Sequence, residues 1–180
     1  MHGLLALSRG IDRVSEIVHK TVMWLSLVAI LVSAGNAFSR KFLNMSSNAW
    51  LESQWYLFSA VFLLSAAYTL LKAEHVKIDI IYGRLSRRTQ VWIDILGTIL
   101  FLFPFCIITV WLVWPVVVDK IATGEMSSNA GGLALWPVWI LIPIGFFLLG
   151  LQGFSELIKR VAFLTGHGPD PALDQTQSHH

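Results

Sequence analysis

Four long apolar segments dominate this chain of 180 residues and limit what it can fold into. They lie at about residues 21–39, 49–71, 91–118 and 136–156. Each is long enough for a helix that crosses the roughly 30 Å hydrocarbon core of a membrane, which takes about 20 apolar residues. Only 13% of the residues are charged, about half the share found in soluble domains. The sequence therefore predicts an integral membrane protein.

The connections between these segments are short and leave no room for a separate soluble domain. We predict an all-α membrane fold in which residues 1–160 form a single domain of four transmembrane helices. Before the first span, apolar residues recur every three or four positions, which predicts an amphipathic helix in the membrane interface. Residues 161–180 are largely polar and contain Gly and Pro, and we predict that they form a disordered cytoplasmic tail.

The distribution of Lys and Arg predicts the orientation of the helices. Ten of these residues fall in the N-terminal segment, in the loop 72–90 or after the fourth span. Only Arg40, Lys41 and Lys120 fall on the opposite side. Because positively charged loops stay in the cytoplasm, we expect both termini there and the loops 42–48 and 119–135 outside.

Six of the eight tryptophans lie near the predicted outer ends of the helices. Indole rings settle at the level of the lipid headgroups, because the ring is apolar and its N–H is polar. Anchoring in lipid is one reading of this arrangement, and a docking surface for an outside partner is the other. On the second reading, the candidate docking residues are Trp50, Trp55, Trp136 and Trp139.

Glu52 lies near the start of the second span, after the helix-capping residues 46–48. A carboxylate in the first turns of a helix interacts favourably with the positive end of the helix dipole. Arg40 ends the first span only a short hairpin away, so we predict an ion pair between Arg40 and Glu52 at the outer headgroups. Two alternatives stay open: contact with a partner protein, and coupling to protons or cations, which usually needs a carboxylate nearer the midplane.

Other polar or conformationally special residues predict structure rather than function. Asp94 opens the third span close to Arg87 and Arg88, where it can stabilise the helix end. Pro104 and Pro143 lie inside spans and are predicted to kink them. Small residues provide surfaces for close helix packing, among them Gly97, Gly145, Gly150 and Gly153.

The chain offers no recognisable catalytic, metal or cofactor site. His75 and Asp79 are too few to form a metal site by themselves. A haem-binding membrane anchor carries histidines within its helices, whereas His19 and His75 lie at predicted helix ends. Cys106 is the single cysteine, so the chain cannot form an internal disulfide. We predict that the protein is no enzyme, binds no cofactor and, with a net charge of +2, binds no nucleic acid.

Two stretches resemble a known family: "NAFSRKFLNMSSNAWLESQWYLF" (36–58) and "AAYTLLKAEHVKIDIIYGRLSRRTQVWID" (66–94). They are similar to the small membrane subunit, of the DctQ type, of tripartite ATP-independent periplasmic (TRAP) transporters. The family pattern has an Arg that ends the first span, a Trp and a Glu that open the second, and a His-Val-basic-aliphatic-Asp cytoplasmic segment. The matching residues here are Arg40, Trp50, Glu52, His75, Val76, Lys77, Ile78 and Asp79. Ser53 departs from the pattern, because many members carry a second acid there.

The resemblance implies a division of labour among several chains. A large multi-helix membrane subunit would carry the substrate and sodium sites, and a periplasmic binding protein would deliver an organic acid. The small subunit would lie in the lipid of the bacterial inner membrane, scaffold the large subunit and help to dock the binding protein. The alternative is a self-sufficient small secondary transporter that forms a homodimer around Glu52.

Overall fold

The computed structural model describes residues 2–43, 47–72 and 85–166, which are helical for most of their length. Within these ranges four helices are long and apolar enough to cross a membrane: Gly3–Leu43, Asn48–Leu71, Arg87–Thr123 and Trp136–Leu164. The predicted all-α fold with four transmembrane helices is therefore confirmed. The motif residues His75, Lys77 and Asp79 lie outside the described residues, as does the predicted tail from residue 167 onward.

The helices are longer than the apolar segments that predicted them. Helix α1 (His2–Phe38) continues into a π-helical turn at Ser39–Leu43, and α2 spans Asn48–Leu71. The third span consists of α3 (Arg87–Gly97), a π-helical turn (Thr98–Leu102) and α4 (Phe103–Thr123). Helix α5 (Trp136–Leu164) extends past the predicted end at residue 156 and takes in the first residues of the predicted tail.

The N-terminal segment is helical, as predicted, but it is continuous with the first span and not a separate helix; its position in the membrane interface stays a prediction. Residues 2–38 form one helix about 55 Å long, with no break between the amphipathic part and the first span. The apolar residues Leu4 and Leu7 are exposed, whereas Ser8 and Ser15 are buried against the rest of the protein. Lipid solvates apolar side chains well and polar ones poorly, so the polar side of this helix gains more from internal contacts.

A π-helical turn marks the third span immediately before Pro104. Proline has no N–H to donate to the carbonyl of Leu100, and its ring crowds the preceding turn. The widened turn accommodates both effects. The sequence predicted a kink at Pro104, and the structure shows a π-helical turn just before it. Pro115 and Pro143 lie inside α4 and α5, respectively.

Contacts within the chain divide it into two compact units. The first comprises Met1–Glu16, Ala66–Ile108 and Phe147–His180, and the second comprises Ile17–Ser65 and Thr109–Phe146. The first unit contains the start of α1, all of α3 and most of α5. The second contains the start of α2, most of α4 and the connection between α4 and α5.

In the second unit, helices α2 and α5 approach each other closely at Gly145. A Cβ atom at this position would lie 2.8 Å from the carbonyl oxygen of Leu63 and 2.9 Å from the Cβ of Leu63. Because the first of these atoms belongs to a helix backbone, it cannot move aside. Glycine is therefore the residue that lets the two helices approach so closely, as predicted for a small residue in a membrane bundle.

Polar side chains of α1 and α5 form a buried ladder in the first unit. The Ser15 hydroxyl donates to Oε1 of Gln152 over 2.7 Å. Gln152 and Ser155 in turn donate to Oδ1 of Asp12, over 2.8 and 2.7 Å respectively. Because the Ser155 proton is committed to Asp12, the 2.7 Å contact between the Ser8 and Ser155 hydroxyls has Ser8 as its donor. Asp12 is thus the common acceptor of the ladder.

The ladder continues into a network of ion pairs on α5. Lys159 Nζ lies 2.9 Å from Oδ2 of Asp12 and 2.6 Å from Oε1 of Glu156. Arg160 binds the other oxygen of Glu156 over 3.2 Å and reaches Asp94 on α3 over 3.3 Å. The Glu156 side chain is only 1% exposed, and its two basic neighbours neutralise its charge. Asp94 therefore joins α3 to α5, a structural role that its position in the sequence predicted only in general terms.

We expect Asp12→Ala to destabilise the protein by about 1–3 kcal/mol, because Gln152, Ser155 and Lys159 all lose an ionised acceptor. The measurement is thermal unfolding in mild detergent, followed by tryptophan fluorescence. Glu16→Ala is the matched control, since Glu16 lies one turn further along α1 and forms no ion pair within the described ranges. Equal losses of stability in the Asp12→Ala and Glu16→Ala variants would contradict the assigned role of Asp12.

Candidate functional site

The connection between α4 and α5 folds into a hairpin loop, residues 124–135. Met126 and Ala134 form an antiparallel β-bridge. The Ser127 N–H donates to the carbonyl of Leu133 over 2.9 Å. The loop therefore has a defined backbone of its own, although it contains no extended strand.

The carboxylate of Glu52 lies inside this hairpin loop. The Ser127 hydroxyl and the Asn129 side-chain amide both donate to Oε1, the amide over 2.7 Å. The backbone N–H of Leu133 donates to Oε2 over 2.6 Å. Both oxygens are therefore engaged, and Glu52 is only 5% exposed. Hydrogen bonds to an ionised acceptor are the stronger kind, so this side chain is a firm attachment between α2 and the loop.

Two glycines allow the loop backbone to close around the carboxylate. A Cβ atom on Gly132 would lie 2.6 Å from the Cβ of Ser127 and 3.0 Å from Oε1 of Glu52. Gly131 has a φ of +70°, in the left-handed region that side chains rarely adopt. The sequence "SSNAGG" at 127–132 thus supplies the donors and the backbone freedom that binding of Glu52 requires.

Glu52 is the middle member of a polar row along α2. Asn48, Glu52 and Tyr56 are spaced by four residues and so share one face of the helix. The Asn48 side-chain amide donates to the carbonyl of Ala130 over 3.0 Å. The Tyr56 hydroxyl donates to the carbonyl of Ala134 over 2.8 Å. Sequence reasoning missed Asn48 and Tyr56, although polar residues repeating every four positions in an apolar span were a usable signal.

The predicted ion pair between Arg40 and Glu52 is absent from the residues that the structure describes. Arg40 is exposed on the π-helical turn that follows α1. Three uncharged donors from the hairpin loop already satisfy the carboxylate, so a second charge is not needed there. The sequence identified the right acidic residue and the wrong partner, because the donors lie more than seventy residues away along the chain.

The predicted docking tryptophans lie on two helices, Trp50 and Trp55 on α2 and Trp136 and Trp139 on α5. Trp50 lies against α1, where a Cβ atom added to Gly35 would be 3.2 Å from the Trp50 ring. Trp55 is 69% exposed and Trp136 is 43% exposed. These positions suit anchoring in lipid headgroups as well as contact with another protein. Their role as docking residues stays a prediction.

Trp139 belongs instead to an apolar groove of about 610 Å³ between α2 and α5 in the second unit. We call it the outer groove. Its lining consists of Phe58, Ser59, Phe62, Leu63, Val138, Trp139 and Ile142. Phe62 is 79% exposed, the largest fraction among the exposed large apolar residues that the structure describes. The groove is a concave apolar surface.

The described residues contain no group of three His, Cys, Asp or Glu side chains placed to hold a metal ion. Ser53 donates to the carbonyl of Ala49 in its own helix over 2.7 Å. The hydrogen bonds of this region attach the hairpin loop to α2.

Four helices long and apolar enough to cross a membrane, with a connecting loop fixed by a helix carboxylate, define a multi-pass membrane protein. Residues 28–163 match the family model described as tripartite ATP-independent periplasmic transporters, DctQ component. The chain belongs to this family, whose members are the small membrane component of TRAP transporters, so the resemblance noted in the sequence is confirmed. Comparison with curated proteins and with solved structures gave no match.

We expect Glu52→Ala to release the hairpin loop, because Ser127, Asn129 and Leu133 lose their shared acceptor. Limited proteolysis with chymotrypsin, read by mass spectrometry, should then cut near Leu133 faster than in the unchanged protein. Glu52→Gln should give an intermediate rate of cleavage. An amide keeps only one acceptor oxygen, and its NH₂ group would face one of the loop's hydrogen-bond donors.

Glu125→Ala is the matched control for this experiment. Its carboxylate lies at the base of the same loop but pairs with Lys120, and the side chain is 45% exposed. Loss of an exposed ion pair has little effect on structure. If Glu125→Ala opens the loop as much as Glu52→Ala does, attachment through Glu52 is wrong.

Proposed function

We propose that this chain scaffolds the large membrane subunit of a TRAP transporter and helps to dock its periplasmic binding protein. The complex imports an organic acid together with sodium, and both are bound by the large subunit. The chain lies in the bacterial inner membrane with both termini in the cytoplasm, as the excess of basic residues at that side indicates. The observation that carries the docking role is the hairpin loop bound by Glu52.

A loop of fixed shape is a better docking surface than a flexible one. Docking a flexible loop costs the conformational entropy of ordering it, and a loop that is ordered beforehand avoids that cost. Asn48, Glu52 and Tyr56 hold the hairpin loop at three levels of α2. In the proposed orientation this loop faces the periplasm, where the binding protein is found. Ser128 and Ala130 are exposed on it and are available for contact.

The state of Glu52 disfavours the alternative of a self-sufficient transporter. A carboxylate that couples transport must exchange its proton or cation during each cycle, and such groups lie near the membrane midplane. Both oxygens of Glu52 are bound to the hairpin loop near the N-terminal end of α2. Releasing them would require the loop to unfold from the helix. Glu52 is therefore better suited to structure than to coupling.

The outer groove supports the scaffolding role. Trp55, Phe58 and Phe62 follow one another at spacings of three and four, so they form an exposed aromatic stripe along α2. Phe58 and Phe62 also form one wall of the groove. Helices associate in membranes through close packing of complementary surfaces, and a concave surface offers more contact area to a partner helix than a convex one. We propose that the large subunit packs here.

We expect Phe62→Ala to lower the amount of large subunit that co-purifies with this chain after gentle detergent extraction. The truncation removes the most exposed side chain of the groove and leaves the chain's own interior unchanged. Phe101→Ala is the matched control, because Phe101 is 75% exposed on the π-helical turn of the third span. A loss of yield with Phe101→Ala and none with Phe62→Ala would place assembly on another surface.

Docking is tested separately, with the assembled complex in nanodiscs and the purified binding protein. We expect Ser128→Lys to weaken their affinity several-fold, because it changes the loop surface and leaves the hydrogen bonds of Glu52 in place. Glu52→Gln should weaken the affinity through the shape of the loop, with the sodium dependence of transport unchanged. Glu125→Gln serves as the control. Unchanged affinity and unchanged complex yield in Glu52→Gln, together with lost sodium dependence, would overturn the proposal in favour of coupling.

A further inference from the structure

A second apolar groove, which we call the inner groove, lies between the start of α1 and α5 in the first unit. Its volume is about 330 Å³. It is lined mainly by Ala6, Leu7, Gly10, Val14, Leu148 and Leu151. From Ala6 to Val14 it follows α1 for about 12 Å. Ser15 of the polar ladder also lines the groove at one edge, and the other lining residues are apolar.

The floor of the inner groove is open at Gly10. A Cβ atom added there would have no other atom within 4 Å. The protein itself therefore does not fill the groove. Glycine in the middle of a helix costs stability relative to larger residues, and no close helix contact at Gly10 compensates for it.

Two arginines of α1 lie one helical turn from small residues of the inner groove, although neither is among its lining residues. Arg9 follows Ala6 by three residues and Arg13 follows Gly10 by three, so each lies one turn beyond a small residue of the groove. Both are exposed, and neither forms an ion pair with another described residue. The nearest carboxylate on their helix, Asp12, is turned towards α5 and bound there. An apolar slot with a positively charged edge is the result.

We propose that the inner groove binds one anionic phospholipid, with an acyl chain along Gly10 and the phosphate at Arg9 and Arg13. A guanidinium group binds phosphate through paired charge-assisted hydrogen bonds, and basic pockets between membrane helices on the cytoplasmic side are sites of this kind. Charge complementarity favours a phospholipid, because one molecule joins an anionic phosphate to an apolar acyl chain and so matches a cationic edge beside an apolar slot. The inference goes beyond the proposed function and shares with it only the cytoplasmic position of the N-terminus.

The experiment uses the full-length chain in mild detergent, titrated with phosphatidylglycerol or with phosphatidylcholine of the same acyl chains. Native mass spectrometry counts the bound lipid, and thermal unfolding reports its effect. We expect one tightly bound phosphatidylglycerol and a higher unfolding temperature, and about tenfold weaker binding of phosphatidylcholine. Glycerol phosphate, which carries the headgroup without acyl chains, should not reproduce the effect.

Two variants test the two halves of the site. Gly10→Leu should fill the slot and abolish tight binding, and its side chain meets no other atom of the protein at Cβ. Gly3→Leu is the matched control, because Gly3 also has open space around it, lies two turns earlier on the same side of α1 and does not line the groove. Arg9→Gln combined with Arg13→Gln should abolish the preference for phosphatidylglycerol.

Several outcomes would overturn this proposal. Equal binding of the two lipids would exclude recognition of the charge. Binding that survives Gly10→Leu and is lost only in the arginine variant would show attraction of lipid to the surface without a groove site. Loss of the co-purifying large subunit in Gly10→Leu, with unchanged lipid binding, would make the groove a protein interface. Because the titration uses this chain alone, its result is independent of scaffolding and docking.

Discussion

One carboxylate, that of Glu52, holds the hairpin loop between α4 and α5 in its shape. Glu52 receives hydrogen bonds from two side chains and one backbone N–H of the hairpin loop, and these groups come from positions as far apart as Ser127 and Leu133. A neutral side chain of the same length has fewer acceptor sites and does not satisfy all three donors. The loop in turn shields the carboxylate from lipid, which explains how an ionised group is tolerated in the first turns of an apolar helix.

The two units stabilise their polar groups in different ways. The second unit uses uncharged donors around one acid, with a supporting row of Asn48 and Tyr56. The first unit uses a network of opposite charges, in which Asp12, Glu156 and Lys159 are linked. A charge surrounded by neutral donors requires a backbone shaped around it, which the consecutive glycines of the loop allow. A charge network requires only that side chains on rigid helices be spaced by three or four residues, so it suits a pair of long helices.

Much of the fold was predictable, because the length and apolarity of a span depend on local sequence alone. The site was only half predictable. Glu52 stood out as a carboxylate in an apolar segment, but its partners are separated from it by 75 to 81 residues and contain no charge to attract attention. Arg40 lies only a short hairpin away along the chain, and this proximity in sequence suggested the wrong partner. The start of α1 presents a related difficulty: its apolar stripe predicted an amphipathic helix, but the structure buries Ser8 and Ser15 on the polar side. Nothing local to Ser8, Asp12 and Ser15 reveals that α5 carries matching groups.

The polar ladder also has a consequence for biosynthesis. Its members lie near the two ends of the chain, and Asp12 and Gln152 are separated by 140 residues. At ribosomal speeds of 5–20 residues per second, Asp12 is made roughly 7–30 s before its partner emerges. During that interval the groups of α5 that bind Asp12 do not yet exist, so its carboxylate depends on water or on other donors. Once α5 is made, its side chains bind the polar side of α1. A chain that ends before residue 152 lacks these groups, and the start of α1 then has no partner for Asp12 on α5.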